Sequence, residues 1–248
     1  MKKKKLRITR RQALATGAGA LGAFLLSGCK TNTPPNYGNI LRMGDNFTYL
    51  AHRTLLPGQS LVQEYERSDI SSFPATGTTN PADPKSKVFS EAWQKHQANG
   101  FKEWTLSIEG SVATPKKYTL EDLKKFTSRT QITRHTCEEG WTAIAEWTGV
   151  PLSLLLQDAG IKNSARYVDF RAFDQYLLTI DLLDAFHPQT ILAWGMNGQD
   201  LPVQHGAPLR GRVERQVGYM SVKYLERIVV CDDYTDTGDS GWSWYTGL

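Results

Sequence analysis

Apolar and polar positions alternate from Trp104 to Glu109, with Trp104, Leu106 and Ile108 on one side, and this period of two predicts a strand that closes at Gly110. Alternation returns over Arg166–Phe173, and shorter strand patterns cover Gln131–Thr136, Thr190–Trp194 and Val222–Val230. Between them, Thr119-Leu120-Glu121-Asp122 opens a short helix, with the Thr119 hydroxyl placed to cap the backbone N–H near Asp122. Pro151–Ala159 reads as a Leu-rich helix stopped by Gly160, Asp181–Phe186 as another helix, and Asn197-Gly198 as a tight turn. Strands and short helices alternate without a regular βαβ rhythm, an internal repeat or a GxGxxG loop, so the expected class is mixed α+β with one compact domain. Residues 40–87 are rich in turn formers and poor in periodicity, which predicts a segment that is either loosely ordered or wrapped over a surface and a ligand.

The N-terminus follows a different pattern. Lys2 to Lys5 and the pair Arg10-Arg11 precede a Gly/Ala/Leu stretch from Ala15 to Leu26 that ends in Leu25-Leu26-Ser27-Gly28-Cys29. The paired arginines point to twin-arginine export, and the apolar run, broken by Gly17, Gly19 and Gly22, is short of the roughly 20 residues a spanning helix needs. The Leu-to-Cys ending looks like a bacterial lipobox, which would place a lipid anchor on Cys29; an ordinary secretory signal is the alternative. The expected organisation is therefore a signal over 1–28, a tether over 29–39, an N-terminal wrapping segment over 40–103, a core over 104–232 and an aromatic tail over 233–248 carrying Trp242, Trp244 and Tyr245.

Charge changes little in this picture. The chain has 29 Lys+Arg against 25 Asp+Glu, but seven of the basic residues lie in the signal, which leaves 22 against 25 and no electrostatic case for a nucleic-acid partner. With Cys29 assigned to lipid, Cys137 and Cys231 remain in an oxidising compartment. They could pair, or Cys231, which ends the apolar run Ile228-Val229-Val230, could stay free as a small buried hydrophobe.

Cys137 is the main candidate for chemistry. A thiolate at a strand end, in a loop bounded by Trp141, is a soft ligand for a soft metal, yet one cysteine cannot hold an ion and the chain has no CxxC or HExxH. The reading that resolves this is a metal whose other sulfur ligands come from an organic cofactor. If that cofactor carries a phosphate, His205 and Arg210 supply directed donors and Ser221-Val222-Lys223 forms a donor-rich turn after Gly218. Two alternatives stand beside it. One is a cell-envelope enzyme with Cys137 as nucleophile, activated by His135 or His205; the other is a cofactor-binding lipoprotein without turnover, motivated by Met220 and Glu138.

The motifs Cys137-Glu138-Glu139-Gly140-Trp141, Trp147-Thr148-Gly149-Val150-Pro151-Leu152, Leu192-Ala193-Trp194-Gly195-Met196-Asn197-Gly198, His205-Gly206-Ala207-Pro208-Leu209-Arg210 and Ser221-Val222-Lys223 resemble, in order, the molybdopterin domain of the sulfite oxidase family. The resemblance implies that Cys137 ligates molybdenum and that Asp174, His205, Arg210, Ser221, Val222 and Lys223 hold the pterin and its phosphate. It further implies two-electron oxygen-atom transfer on a sulfur or other oxo-acceptor substrate. Glu138 beside the ligand, and the lack of an Arg-rich run after it, depart from the sulfite-oxidising members. With about 20 residues after the last predicted strand, no dimerisation domain is expected, and the chain is more similar to the exported methionine-sulfoxide reductase branch. That branch implies a small-molecule substrate, a membrane or periplasmic electron-transfer partner and a periplasmic location. Residues 69–77 resemble the N-terminal loop that covers the cofactor in bacterial relatives.

Overall fold

A computed structural model describes residues 60–76 and 80–234, together with Phe47, Leu50, Ala51, Thr54 and Leu55. The expected signal, the tether, Cys29 and the Trp242–Tyr245 tail lie outside the described residues. Residues 60–76 and 80–234 belong to the unit that spans Leu55–Thr246.

Two sheets carry this unit. The first has the order β2 (Lys116–Thr119), β1 (Thr105–Gly110), β10 (Leu225–Cys231), β5 (Tyr167–Ala172), β6 (Leu177–Asp181), with β1 and β10 parallel and the remaining pairs antiparallel. The second runs β3 (Arg129–Thr136), β4 (Thr142–Pro151), β7 (Ile191–Met196), β8 (Gln199–Asp200), and β9 (Arg210–Arg212) also pairs with β7. The described helices are α1 (Glu91–Ala98), α2 (Leu120–Lys125), α3 (Leu152–Ala159) and α4 (Leu182–Ala185).

Local signals hold where they were specific. Thr119 Oγ1 accepts from the Asp122 N–H at 3.1 Å and the Asp122 carboxylate accepts from Thr119 N–H, a reciprocal cap at the start of α2. Gly160 ends α3 in the left-handed region, Asp181 caps α4, and Asn197-Gly198 takes positive φ at both positions to turn β7 into β8. The final strand, expected from Val222, begins at Leu225. Tyr224, at φ +53°, turns the chain there and donates its N–H to Gly206 O, so Ser221-Val222-Lys223 is a loop. Cys137 and Cys231 are not joined in a disulfide.

The main core is apolar: Trp104, Leu106 and Ile108 of β1, Leu155 and Leu156 of α3 and Phe170 of β5 belong to one fully buried cluster. The central strand β7 of the second sheet is buried on both sides. Leu192 and Trp194 of β7 join the main core, whereas Ile191, Ala193 and Met196 join a smaller cluster with Ala145, Trp147 and Leu201, against which Phe73 packs. Residues directly opposite in a ladder share a face. The face with Trp147 therefore also bears Gln131, Thr133 and His135 of β3, and Arg210 and Arg212 of β9. This polar face of the second sheet is the floor of the site.

Candidate active site

The loop after β3 is a tight one: Cys137 N–H donates to Trp141 O (2.9 Å), Gly140 N–H returns to Cys137 O (3.1 Å), and Gly140 sits at φ +89°. It holds Cys137, 7% exposed, at the edge of a cavity of about 700 Å³ including its open mouth. Asp174 and Tyr176 reach the cavity from the β5–β6 turn, His205 and Arg210 from the segment leading into β9, and Ser221, Val222 and Lys223 from the loop before β10. All seven residues singled out from the sequence thus meet at one cavity. Phe73, Pro74 and Thr76 line it as well, as do His135, Glu138, Trp141 and Gly218.

Aromatic and charged contacts join these neighbours to the floor of the site. Phe73 touches four rings, those of His135, Trp141, Trp147 and His205, with centroids 5.0–5.6 Å apart. Arg212 lies 4.4 Å above the Trp147 ring and pairs through two nitrogens with Glu214 (2.9 and 2.8 Å). The pairing of β9 with β7 brings Arg212 to the Trp147 face, and no local motif marks Arg212 or Glu214.

Positive charge dominates the wall opposite Cys137. Arg210, 2% exposed, donates to the carbonyls of His205 and Ser221 (3.0 Å each) and so ties the two cofactor-side loops together. Lys223 Nζ donates to Thr76 O (2.8 Å) and Gln204 O (3.0 Å). Burial, then the Arg212 charge, lowers the Arg210 pKa to about 9. Burial and Arg210 bring Lys223 to about 7, and burial, Arg210 and Lys223 bring His205 to about 4. Three basic groups are crowded in a desolvated wall, with the carboxylates of Asp174 and Glu139 partly opposing at Lys223. Among the described residues, His205 Nδ1 and Arg210 Nε have no hydrogen-bond partner. Such a wall is complementary to an anion with several acceptor atoms.

The thiol itself is disfavoured as a free nucleophile. Burial pushes the Cys137 pKa up, a hydrogen bond from the Glu139 backbone opposes this, and the Glu138 carboxylate, 3.6 Å from Sγ, raises it again. His135 Nδ1 is 2.7 Å from an Arg212 nitrogen, so that ring nitrogen is not available to act as a base toward Cys137. A bound cation would reverse the thiol's preference, because a coordinating thiol is deprotonated.

Residues 93–238 match the family model of the oxidoreductase molybdopterin binding domain. The chain belongs to this family and is a molybdopterin-dependent oxidoreductase of the sulfite oxidase kind. Among its relatives is a chain of Azospira oryzae provisionally named a protein-methionine-sulfoxide reductase subunit, YedZ1, 30% identical over 91% of this chain and 83% of that one. The protein-methionine-sulfoxide reductase catalytic subunits MsrP of Pseudomonas syringae pv. tomato and of Ralstonia nicotianae are each 34% identical over 54% of this chain. The aligned part spans only 45% of either of those two relatives. In structure the chain is similar to the sulfane dehydrogenase SoxCD of Paracoccus pantotrophus, with a TM-score of 0.52 and 26% identity over 55% of this chain and 40% of that one.

The residues present fit the cofactor. A soft thiolate donor sits at the cavity edge, and a desolvated cationic wall with unpartnered His205 and Arg210 nitrogens faces it. Gly206 leaves the wall its close approach: at φ +108°, its missing Cβ would lie 2.8 Å from Lys223 Cβ.

Proposed function

We propose that this chain is the catalytic component of an exported, lipid-tethered sulfoxide reductase, with Cys137 as the protein ligand to molybdenum and Asp174, His205, Arg210, Ser221, Val222 and Lys223 as the residues that hold the pterin and its phosphate. The observation that carries this reading is the convergence of a single buried cysteine and a cationic wall on one cavity, in a chain of the molybdopterin-binding family. When bound, the molybdenum group supplies two-electron oxygen-atom transfer. Reduction of a sulfoxide then consumes two electrons and two protons and yields a thioether and water, the electrons coming from a membrane or periplasmic donor.

The chain's own residues favour a neutral substrate. Glu138, exposed beside Cys137, places a carboxylate at the cavity, which opposes entry of sulfite. The Lys and Arg groups lie on the wall assigned to the cofactor. Trp141, Tyr176 and Phe73 give the entrance aromatic sides that suit a thioether and its S-oxide. The sulfoxide reductase names of relatives from three organisms agree with this choice.

Export and tethering rest on the Arg10-Arg11 pair and on Cys29 of the N-terminal segment. Among the described residues, no helix is long and apolar enough to cross a membrane. The test is turnover of the molybdenum-loaded protein with reduced benzyl viologen as donor. Oxidation of the viologen by dimethyl sulfoxide or methionine sulfoxide, with no reduction of an acceptor by sulfite, is the expected result; the opposite preference overturns the reading.

A further inference from the structure

His135 belongs to β3 and stands two positions before Cys137, which follows the end of the strand, and both line the cavity. Its ring is 7% exposed and lies between Phe73 (centroids 5.0 Å apart) and Trp141 (5.5 Å, 35° between planes). Nδ1 is 2.7 Å from Nη1 of Arg212. A guanidinium has donors and no acceptor, so Nδ1 must accept this bond. Arg212 cannot turn away, because Nε and Nη2 are both committed to Glu214 and the guanidinium lies over Trp147. The single ring proton of the neutral imidazole is therefore on Nε2.

Nε2 has no hydrogen-bond partner among the described residues, although Nδ1 is satisfied. Its edge faces Gly218, where an added Cβ would stand 2.6 Å from Nε2 and 3.2 Å from Cys137 Cα, and both His135 and Gly218 line the cavity. The glycine leaves open the space into which this N–H points. Arg212 and Glu214 thus orient a neutral donor at the cavity that Cys137 lines.

We propose that His135, held by Arg212 as its Nε2–H tautomer, donates a hydrogen bond to an acceptor atom bound next to the Cys137 sulfur. The proposal rests on the molybdenum sulfoxide reductase reading above. An uncharged donor polarises the oxygen of a neutral sulfoxide without attracting an oxyanion, and the same N–H could instead serve an acceptor of the cofactor. His135 makes direct contact with that acceptor, whereas Arg212 is a positioning residue that acts through the imidazole. The donated proton stays on Nε2, and the two protons used in water formation come from solvent.

The first test is long-range proton–nitrogen NMR of the oxidised, molybdenum-loaded protein labelled with 15N-histidine, with the His135 signals assigned by their loss in His135→Gln. A proton-bearing Nε2 and a bare Nδ1 are expected; a proton on Nδ1 overturns the proposal. The second compares His135→Phe, which keeps the ring stack without a donor, with His135→Gln, which restores an N–H at similar reach. If the acceptor is the substrate oxygen, His135→Phe retains molybdenum and pterin, its KM for dimethyl sulfoxide rises about tenfold with a smaller change in kcat, and His135→Gln recovers most of the loss. If the acceptor belongs to the cofactor, His135→Phe loses molybdenum and pterin while His135→Gln keeps both. Full loading with wild-type kcat/KM in His135→Phe overturns the proposal. If that variant does not fold, the NMR of the wild-type protein decides alone. Wild-type protein that loads molybdenum and reduces no sulfoxide refutes the functional reading, while the tautomer and loading measurements still judge the donor.

Discussion

Gly218 occupies the point where three parts of the site meet: the ring of His135, the backbone of Cys137 and the loop that leads to Lys223. A methyl group there has to displace the imidazole edge or the cysteine backbone. Gly218→Ala should therefore cost about 1–3 kcal/mol in stability and, more tellingly, reduce turnover beyond what the stability change explains. Denaturant unfolding alongside viologen-linked kinetics checks this, and an unchanged kcat/KM would show that the cavity tolerates the crowding. The residues legible in the sequence were those whose chemistry is carried by type and near neighbours: Cys137 in its Trp-bounded loop, the His205–Arg210 segment and the Ser221–Lys223 turn. Phe73 and Trp141 fell within segments read near the site, the covering loop over 69–77 and the Cys137 loop, whereas Tyr176 and the side-chain support from Arg212 were not read. Arg212 reaches the site through the pairing of β9 with β7, and Tyr176 through the β5–β6 turn, and no local pattern encodes either.

At the level of elements, β1, β3, β5, β7 and β10 were readable from alternation or from a short apolar run, whereas β2, β4, β6, β8 and β9 were not. β1 shows the alternation that a half-buried strand requires, while β4 is buried at positions of both parities and includes Gly149 and Pro151, so its period is lost. β6 and β9 are short, and α1 is anchored by Trp93, whose Nε1 donates to Ala207 O far along the chain. Gly149 marks the irregular register between β4 and β7: its missing Cβ would lie 2.1 Å from Leu192 O, which is backbone and cannot swing aside. Gly149→Ala should force the two strands apart and lower stability by about 1–3 kcal/mol or more, seen as a shift in the urea midpoint. Thr119→Ala removes a visible cap and should cost about 1 kcal/mol without affecting cofactor loading. Equal effects of the two substitutions on loading would argue against a division between scaffold and site.

Across the whole molecule, the site's histidines couple stability to pH. Burial and the arginines bring His135 to about 2 and His205 to about 4, against 6.5 as the ordinary value. Below pH 6.5 the unfolded chain binds protons that the folded chain refuses, so stability is retained above that pH and lost as pH falls. In the cofactor-free protein the loss at pH 5 relative to pH 7 should approach roughly 2 kcal/mol per histidine. A melting temperature that is flat or rising between pH 7 and pH 5 would contradict the buried neutral state of both rings. The central claim, that Cys137 is the protein ligand of a molybdenum centre, is tested most directly by metal analysis with electronic absorption on exported wild-type protein and on Cys137→Ala. About one molybdenum per chain, with absorption lost or altered in the variant, is the predicted result. Wild-type protein without molybdenum from a host able to make the cofactor, or a variant whose metal content and spectrum match the wild type, would contradict it.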